Sequence, residues 1–230
     1  MKFDKYYLKN KTFITFTDMR IGKIIKIIID ISPNSILDVG CGSGYLLTNL
    51  HSKLSSTKLY GIDIYPNKKL NKEIIYKQAD ITEGLPFKSK VFECVVLGEV
   101  IEHVPNPDFL LREINRVLKK DGILIISTPN LVSWANRVLV LLGVQPLFTE
   151  TSNEVNLGRK LAILGQGAKV QGHLKIFTSD SLTEILEREK FKIINKHGVT
   201  FFFPFPISLL DKFFTKFITL SSGLLYVVKK

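Results

Sequence analysis

The chain has 230 residues, 45% of them hydrophobic, and carries a formal net charge of +11 from 32 basic and 21 acidic residues. This composition supplies the core of one α/β domain and excludes a disordered chain, and the two cysteines are too few for a disulfide-stabilised scaffold. The positive charge suits anionic partners, but it is mostly lysine scattered along the chain, which is typical of a solvated surface.

The first part of the chain predicts a helical cover for the rest of the domain. Residues 6–16 are aromatic and basic, so this segment either closes over a site or simply packs. Residues 18–31 have the pattern of an amphipathic helix, with Ile21, Ile24 and Ile28 on one face. The start of the chain lacks the apolar stretch and small-residue cleavage site of a signal peptide, and we therefore expect a cytoplasmic protein.

The stretch 35–46 organises the rest of the sequence. An apolar run ends in Asp38, passes through three glycines at alternate positions and opens an apolar-periodic segment at Tyr45, which predicts strand, tight turn and helix. Glycine permits positive φ and close approach of a ligand to the backbone, and the N–H groups of the helix start then face the bound molecule. We expect Cys41 in this turn and Cys94 in a later strand to be small buried thiols.

The next run, 58–62, ends in Asp63, where a nucleotide-binding strand places a carboxylate for the ribose hydroxyls. The glycine spacing is G-x-G-x-G, without the third glycine of a dinucleotide-binding turn, and Asp38 stands two residues before the first glycine. A carboxylate beside the turn disfavours a pyrophosphate and suits a cationic ligand. S-adenosylmethionine carries an ammonium and a sulfonium and no phosphate, whereas a nicotinamide dehydrogenase would need the missing glycine and a catalytic donor set.

Together with the segments that follow, this stretch resembles the class I S-adenosylmethionine-dependent methyltransferases. The further segments are Gln78-Ala79-Asp80 after a strand run at 74–77, a strand and loop at 91–104, and a helix end, turn and strand at 116–130. The resemblance implies an α/β fold with a Rossmann-like seven-stranded mixed sheet, helices on both faces, and a helical lid insertion after strand five.

We expect a single methyltransferase domain over residues 1–230. Its parts would be a helical cover (1–34), a cofactor-binding core (35–130), a lid insertion (131–172) and the C-terminal part of the sheet with an amphipathic helix (173–230). The lid would begin with a very apolar helix at 131–142, in which Trp134 is either a lid anchor or plain core; such long insertions are usually functional. Strands six and seven, at 191–197 and 224–228, are expected to be antiparallel by resemblance.

The resemblance also implies S-adenosylmethionine as cofactor and predicts which residues bind it. The expected residues are Asp38, Gly40, Cys41, Gly42, Gly44, Asp63, Ile64, Asp80, Ile81 and Gly98. Asp80 would meet the adenine amino group. Because ligands of parallel sheets bind beyond the carboxyl ends of the strands, at the switch in strand order, these residues should converge on one crevice.

Glu99, Glu102 and His103 form an E-x-x-E-H segment. On a loop entering a helix, positions i, i+3 and i+4 share a face, and two carboxylates with an imidazole can hold Mg²⁺ or another divalent cation that lowers the pKa of a bound hydroxyl. The segment resembles the metal-binding motif of ubiquinone-pathway O-methyltransferases and of small-RNA 2′-O-methyltransferases, and His173 stands where a further histidine ligand could arrive. Without a metal, Glu99 would line the site and His103 would be a catalytic base or a substrate contact.

A phenylalanine-rich segment, 201–220, lies between strands six and seven. Its helix places Leu210, Phe213 and Phe217 on one side and is too short and too charged to span a bilayer. We expect it to pack on the sheet; the alternatives are peripheral membrane contact, which would make the protein membrane-associated, and binding of an apolar substrate.

The sequence therefore predicts an S-adenosylmethionine-dependent methyltransferase. Its acceptor would be a hydroxyl of a small, partly apolar molecule: a lipid, a quinone-like ring or a saccharide. One alternative is metal-dependent RNA 2′-O-methylation, although one histidine follows Glu102 where the RNA enzymes have two. The other is a non-catalytic protein that binds an S-adenosyl ligand.

Overall fold

The computed structural model describes residues 19–67, 70–158, 170–201 and 203–230, so the segment 6–16 lies outside the described residues. Within these ranges the chain forms seven strands and six α-helices. In chain order they are α1 (Met19–Ile31), β1 (Ser35–Val39), α2 (Tyr45–His51), β2 (Lys58–Asp63), β3 (Ile75–Gln78), β4 (Phe92–Gly98), α3 (Pro107–Val117), β5 (Leu118–Pro129), α4 (Trp134–Leu141), α5 (Ser179–Arg188), β6 (Lys192–Val199), α6 (Ile207–Phe214) and β7 (Gly223–Lys229).

The strands form one sheet in the order β3-β2-β1-β4-β5-β7-β6. The first five strands pair in parallel, and β7 is antiparallel to both of its neighbours, β5 and β6. Strands β1 to β3 are added toward one edge of the sheet and the later strands toward the other, so the strand order reverses between β1 and β4. In such sheets a crevice lies beyond the carboxyl ends of the strands at this point. The predicted Rossmann-like seven-stranded mixed sheet and the antiparallel pairing of its last two strands are confirmed.

Helices cover both faces of the sheet. Ile36 and Leu37 are adjacent on β1 and point to opposite faces, and neither is accessible to solvent. Ile36 belongs to the apolar cluster that includes α1 and α2, whereas Leu37 belongs to the cluster that includes α3 and α5. A strand buried on both faces explains the uninterrupted apolar runs of the sequence.

A third apolar cluster, here called the lid cluster, lies outside these two layers. Its buried members are Ala135 and Leu139 of α4 together with Leu147 and Phe203. The helix begins at Trp134 rather than at 131, because the Ser133 hydroxyl caps it by accepting from the N–H of Asn136. The insertion therefore folds back against the segment after β6.

The helix expected within 201–220 forms as α6, but the expectation that its apolar face packs on the sheet is wrong. Asp211 is the one buried residue of α6, while Leu210 is 53% and Phe213 51% exposed. The Asp211 carboxylate accepts hydrogen bonds from the Trp134 indole N–H (2.8 Å), the Phe201 N–H (2.9 Å) and the Ser222 hydroxyl. These three donors turn the polar side of the helix inward.

Candidate active site

The glycine turn between β1 and α2 has the backbone geometry that its sequence predicts. Gly40, Gly42 and Gly44 adopt φ values of +72°, +53° and +76°. A Cβ atom on Gly44 would lie 2.1 Å from Leu70 Cδ2, and one on Gly40 would lie 2.5 Å from Val100 Cγ2. The positive φ favours glycine at these two positions, and any larger residue would also have to displace the side chains of Leu70 and Val100. Cys41 in the turn and Cys94 in β4 are buried free thiols, as expected.

Two acidic side chains lie beside this turn. Asp63 ends β2 and accepts hydrogen bonds from the N–H groups of Gly42 (2.8 Å) and Tyr65 (3.0 Å). Burial raises the pKa of Asp63, and these hydrogen bonds oppose the rise. Burial, reinforced by the charge of Asp63, raises the pKa of Asp38 to about 8, and Arg20 opposes this rise. Desolvated carboxyl groups held together favour a cationic ligand, which fits the ammonium of S-adenosylmethionine.

The other predicted cofactor residues follow neighbouring strands at the same edge. Asp80 comes after β3, and one oxygen of its carboxylate accepts from the N–H (2.8 Å) and the hydroxyl (2.7 Å) of Thr82. The carbonyl of Ile64, after β2, accepts from the Gln78 amide at 3.0 Å. Gly98 ends β4, and Ile81 packs partly buried against the main core. Four adjacent parallel strands thus end at the same edge of the sheet, and the predicted residues lie at or just after their carboxyl ends.

Arg20 in the first turn of α1 also reaches this edge, which sequence reasoning missed. Its Nη1 lies 3.0 Å from Glu99 Oε1 and donates to the Ser127 hydroxyl at 3.1 Å. A Cβ atom on Gly98 would lie 3.7 Å from the same nitrogen. The sequence offered one signal of a specific role for Arg20: arginine occupies only six positions in this lysine-rich chain.

The E-x-x-E-H segment does not lie on one helical face as predicted. Only Ile101–His103 is helical, as a single 3-10 turn, and Glu99 precedes it with a left-handed φ of +56°. Glu99 therefore points to Arg20, whereas Glu102 is fully buried and accepts from the Thr128 hydroxyl at 3.0 Å. Glu99 does not join the other predicted metal ligands in the cluster described next.

Glu102, His103 and His173 come together, with one ligand atom from each lying within 4.8 Å of the others. His103 Nδ1 is 3.2 Å from the Gly172 carbonyl and His173 Nδ1 is 2.9 Å from the Phe148 carbonyl. A carbonyl only accepts, so Nδ1 of each ring carries a proton in these contacts, and a neutral ring then has its lone pair on Nε2. Burial lowers the pKa of His103, which favours this neutral form.

Glu102 carries the observation that makes this cluster fit a divalent cation. Among the described residues, its buried Oε1 accepts no hydrogen bond, although it lies 3.9 Å from His103 Nε2. Burial and the charge of Glu99 raise the pKa of Glu102. A carboxylate and two imidazoles whose outer nitrogens bond to carbonyls form a known type of metal-binding set.

The lid insertion positions His173. The Glu150 carboxylate accepts hydrogen bonds from the N–H groups of Gln171, Gly172 (2.8 Å) and His173 (3.3 Å). The ring of Phe148, two residues before Glu150, packs on the rings of Phe201 and His173. No sequence signal pointed to Glu150, because more than twenty residues separate it from the backbone it holds.

Comparison with known proteins assigns the family. Residues 17–196 match the family model described as a methyltransferase domain. The chain belongs to the class I S-adenosylmethionine-dependent methyltransferases. The fold agrees, since this methyltransferase is similar to 1,6-didemethyltoxoflavin-N1-methyltransferase of Burkholderia thailandensis, solved with S-adenosylhomocysteine, with a TM-score of 0.60 at 16% identity over 93% of this chain and 79% of that one.

The relatives of this methyltransferase differ in how much of their length it covers. It is 27% identical to an uncharacterised protein of Methanocaldococcus jannaschii, matching 93% of this chain and 80% of that protein. With the demethylmenaquinone methyltransferase of Lactobacillus johnsonii it shares 32% identity over 68% of this chain and 67% of that enzyme. It is 30% identical to the mitochondrial ubiquinone biosynthesis O-methyltransferase of Dictyostelium discoideum over 50% of this chain and only 40% of that enzyme.

Proposed function

We propose that this methyltransferase methylates a hydroxyl oxygen of a small, partly apolar acceptor: a lipid, a quinone-like ring or a saccharide. The observation that carries the proposal is a row of four rings, Phe201, Phe148, His173 and His103, that runs from the lid cluster to Glu102. Successive ring centroids lie 4.6, 5.8 and 4.7 Å apart. This row of mutually tilted rings, here called the ring wall, is aromatic at one end and carries imidazoles at the other, which suits an apolar molecule with a hydroxyl.

The relatives support this acceptor class. One is named for demethylmenaquinone, and another is named as an O-methyltransferase of ubiquinone biosynthesis. Both names concern quinones, and the second specifies oxygen as the methylated atom. The ring wall and these names point independently to an acceptor with an apolar ring or chain.

The crevice beside the glycine turn is the proposed cofactor site. S-adenosylmethionine, when bound, supplies a methyl group already activated as a sulfonium. We assign Asp63 to the ribose hydroxyls, Asp80 to the adenine amino group and Asp38 to the electrostatic attraction of the ammonium. The protein then has to hold donor and acceptor aligned, close and dry, which is catalysis by positioning.

His103 is the proposed catalytic base. Because Nδ1 carries the proton toward the Gly172 carbonyl, Nε2 has the lone pair that can accept the acceptor's hydroxyl proton. Glu102, His103 and His173 would hold a divalent cation in the alternative arrangement, and the cation would lower the pKa of a bound hydroxyl. Glu99, paired with Arg20, lines the adjoining crevice in either case.

The decisive experiment measures transfer of a tritiated methyl group from S-adenosylmethionine to ring hydroxyls with and without an apolar chain, to saccharides and to short RNAs. We expect label in an apolar hydroxyl acceptor, and the His103→Gln variant should lose roughly a hundredfold of this activity. The matched control is His197→Gln, on β6 and away from the cluster. Label only in RNA, or none in any hydroxyl acceptor by protein that binds S-adenosylhomocysteine, would refute the acceptor assignment.

Equilibrium dialysis against Mg²⁺, Mn²⁺ and Zn²⁺ tests the cation directly, without activity as the readout. The metal-bound arrangement predicts one tightly bound ion in the wild type and its loss in Glu102→Gln, because an amide is a poor substitute for a carboxylate ligand. Glu93→Gln, which alters a surface carboxylate, is the control. Absence of any stoichiometric ion from the wild type would leave His103 acting as a base alone.

A further inference from the structure

An exposed apolar surface covers the outside of the lid region. We call it the α4–α6 surface; its side chains are between 48% and 87% exposed and comprise Val138, Val140, Leu141, Leu142, Phe205, Leu209, Leu210, Phe213 and Phe217. The two helices are in contact, since the Trp134 ring of α4 stacks on Phe214 of α6 at 5.4 Å. Single exposed apolar residues are ordinary, but so many on two adjoining segments indicate an interaction surface.

The outward orientation of α6 is set by specific bonds. An amphipathic helix on a protein normally buries its apolar face. Here the buried position is Asp211, held by the three donors from Trp134, Phe201 and Ser222. Because rotating the helix would strip these donors from a buried carboxylate, the apolar face is fixed toward solvent.

The charges on this surface all have one sign. Segments 131–149 and 201–222 contain a single acidic residue, Asp211, which is buried. Their cations are Arg137, Lys212 and Lys216, and all three are exposed. The Lys216 ammonium lies 5.8 Å from the centre of the Phe213 ring, so charge and apolar area adjoin.

We propose that the α4–α6 surface docks the protein on an anionic lipid membrane. Phenylalanine and leucine side chains would enter the interface, while the lysines and the arginine reach the lipid phosphates. No described helix is long and apolar enough to cross the bilayer, which fits attachment in the plane of the interface. A second copy of this chain is a poorer occupant, because a two-fold contact would face three cations of each copy without an acid to pair them.

Sedimentation with vesicles tests the proposal on the full chain. We expect the protein to sediment with phosphatidylcholine vesicles containing phosphatidylglycerol and to remain in the supernatant with phosphatidylcholine alone. Leu210→Ser combined with Phe213→Ser should reduce the bound fraction roughly tenfold, because the inserted apolar area is lost. Ile75→Ser, which removes an apolar side chain of similar exposure (45%) from β3 at the opposite edge of the sheet, should bind like the wild type.

The charge contribution is tested by Lys212→Gln with Lys216→Gln, which should weaken binding and its salt dependence. Lys53→Gln with Lys88→Gln removes the same charge from exposed positions elsewhere and should bind like the wild type. Circular dichroism confirms that each variant is folded, and binding of S-adenosylhomocysteine is measured separately, so failure of docking and failure of the proposed enzyme function are distinguishable. The proposal would be overturned if the wild type did not bind anionic vesicles, or if the variants of the α4–α6 surface bound them as well as the wild type does. A dimer dissociated by Phe213→Ser would reassign the surface to a second copy.

Discussion

At the scale of single residues, the carboxyl groups around the crevice are held in different electrostatic states. Asp38 is desolvated and next to Asp63, Glu99 is paired with the Arg20 guanidinium, and Glu102 is buried with only one of its two oxygens hydrogen-bonded. All are carboxyl groups, so the differences in how readily they ionise come from their burial and from the charges and donors beside them. Each state makes a different prediction on ligand binding or substitution.

Binding of S-adenosylhomocysteine, the product formed from the methyl donor, should release a proton from Asp38. With a pKa of about 8 this group is mostly protonated at neutral pH, and a bound ammonium favours the carboxylate. Affinity for S-adenosylhomocysteine should therefore rise as pH increases toward 8. Calorimetric titration in buffers of different ionisation enthalpy counts the released protons, and Asp38→Asn is the control. Proton uptake by the wild type, or identical counts in the two proteins, would contradict this assignment.

The Arg20–Glu99 contact should be energetically coupled. Arg20→Met removes a cation from a largely buried carboxylate and should destabilise the protein by about 2 kcal/mol in urea unfolding. Glu99→Gln in the same protein should recover part of that loss, because the unpaired charge is then absent. The exposed Arg137→Met serves as control. Additive effects in the Arg20 and Glu99 double variant would show that the pair contributes nothing of its own.

At the scale of elements, local signals placed the strands and helices well but did not orient every helix. The apolar runs predicted the strands, and the Ser133 cap shows why α4 begins three residues later than the apolar pattern does. The orientation of α6 was beyond such reasoning. Its apolar stripe favoured packing on the sheet, whereas donors more than ten residues away on either side, Trp134 and Ser222, select the face with Asp211.

The indole N–H of Trp134 should contribute measurably to holding α6. Trp134→Phe keeps a ring to stack on Phe214 but removes one donor from buried Asp211, and should cost about 1–3 kcal/mol in urea unfolding. Burial raises the folded-state pKa of Asp211, so its protonation stabilises the fold at low pH and this contribution is lost as pH rises through that pKa. The defect should therefore be larger at neutral than at acidic pH. A pH-independent loss would point to ring packing instead.

At the scale of the whole molecule, two apolar layers enclose the sheet and the lid cluster forms a separate third unit. The proposed cofactor crevice is formed by residues at the ends of the strands. The ring wall connects His103 and His173 to Phe148 and Phe201 at the lid cluster. We therefore expect variants in the lid cluster to change the proposed acceptor or membrane contact and to leave the proposed cofactor site in place.

S-adenosylhomocysteine should stabilise the whole domain by linkage. At a concentration one hundred times its Kd, the expected gain is about 2.7 kcal/mol in the free energy of unfolding. Asp63→Ala should abolish the gain, because it removes both the proposed ribose ligand and the acceptor for the Gly42 N–H. Phe203→Ala, which opens the lid cluster, should lower stability yet keep the gain. Thermal unfolding with and without ligand checks all three, and an undiminished gain in Asp63→Ala would refute the proposed site.

The amino-acid sequence by itself determined the fold class, the glycine turn and the row of acids after successive strands. These features depend on local patterns: apolar period, glycine spacing and the rule that parallel strands end at one edge. Tertiary structure alone decided that Arg20 meets Glu99, that Glu150 holds the backbone at His173, and that Asp211 turns the apolar face of α6 outward. Those contacts join distant segments, and their choice among chemically equivalent partners depends on how whole elements pack rather than on any local pattern.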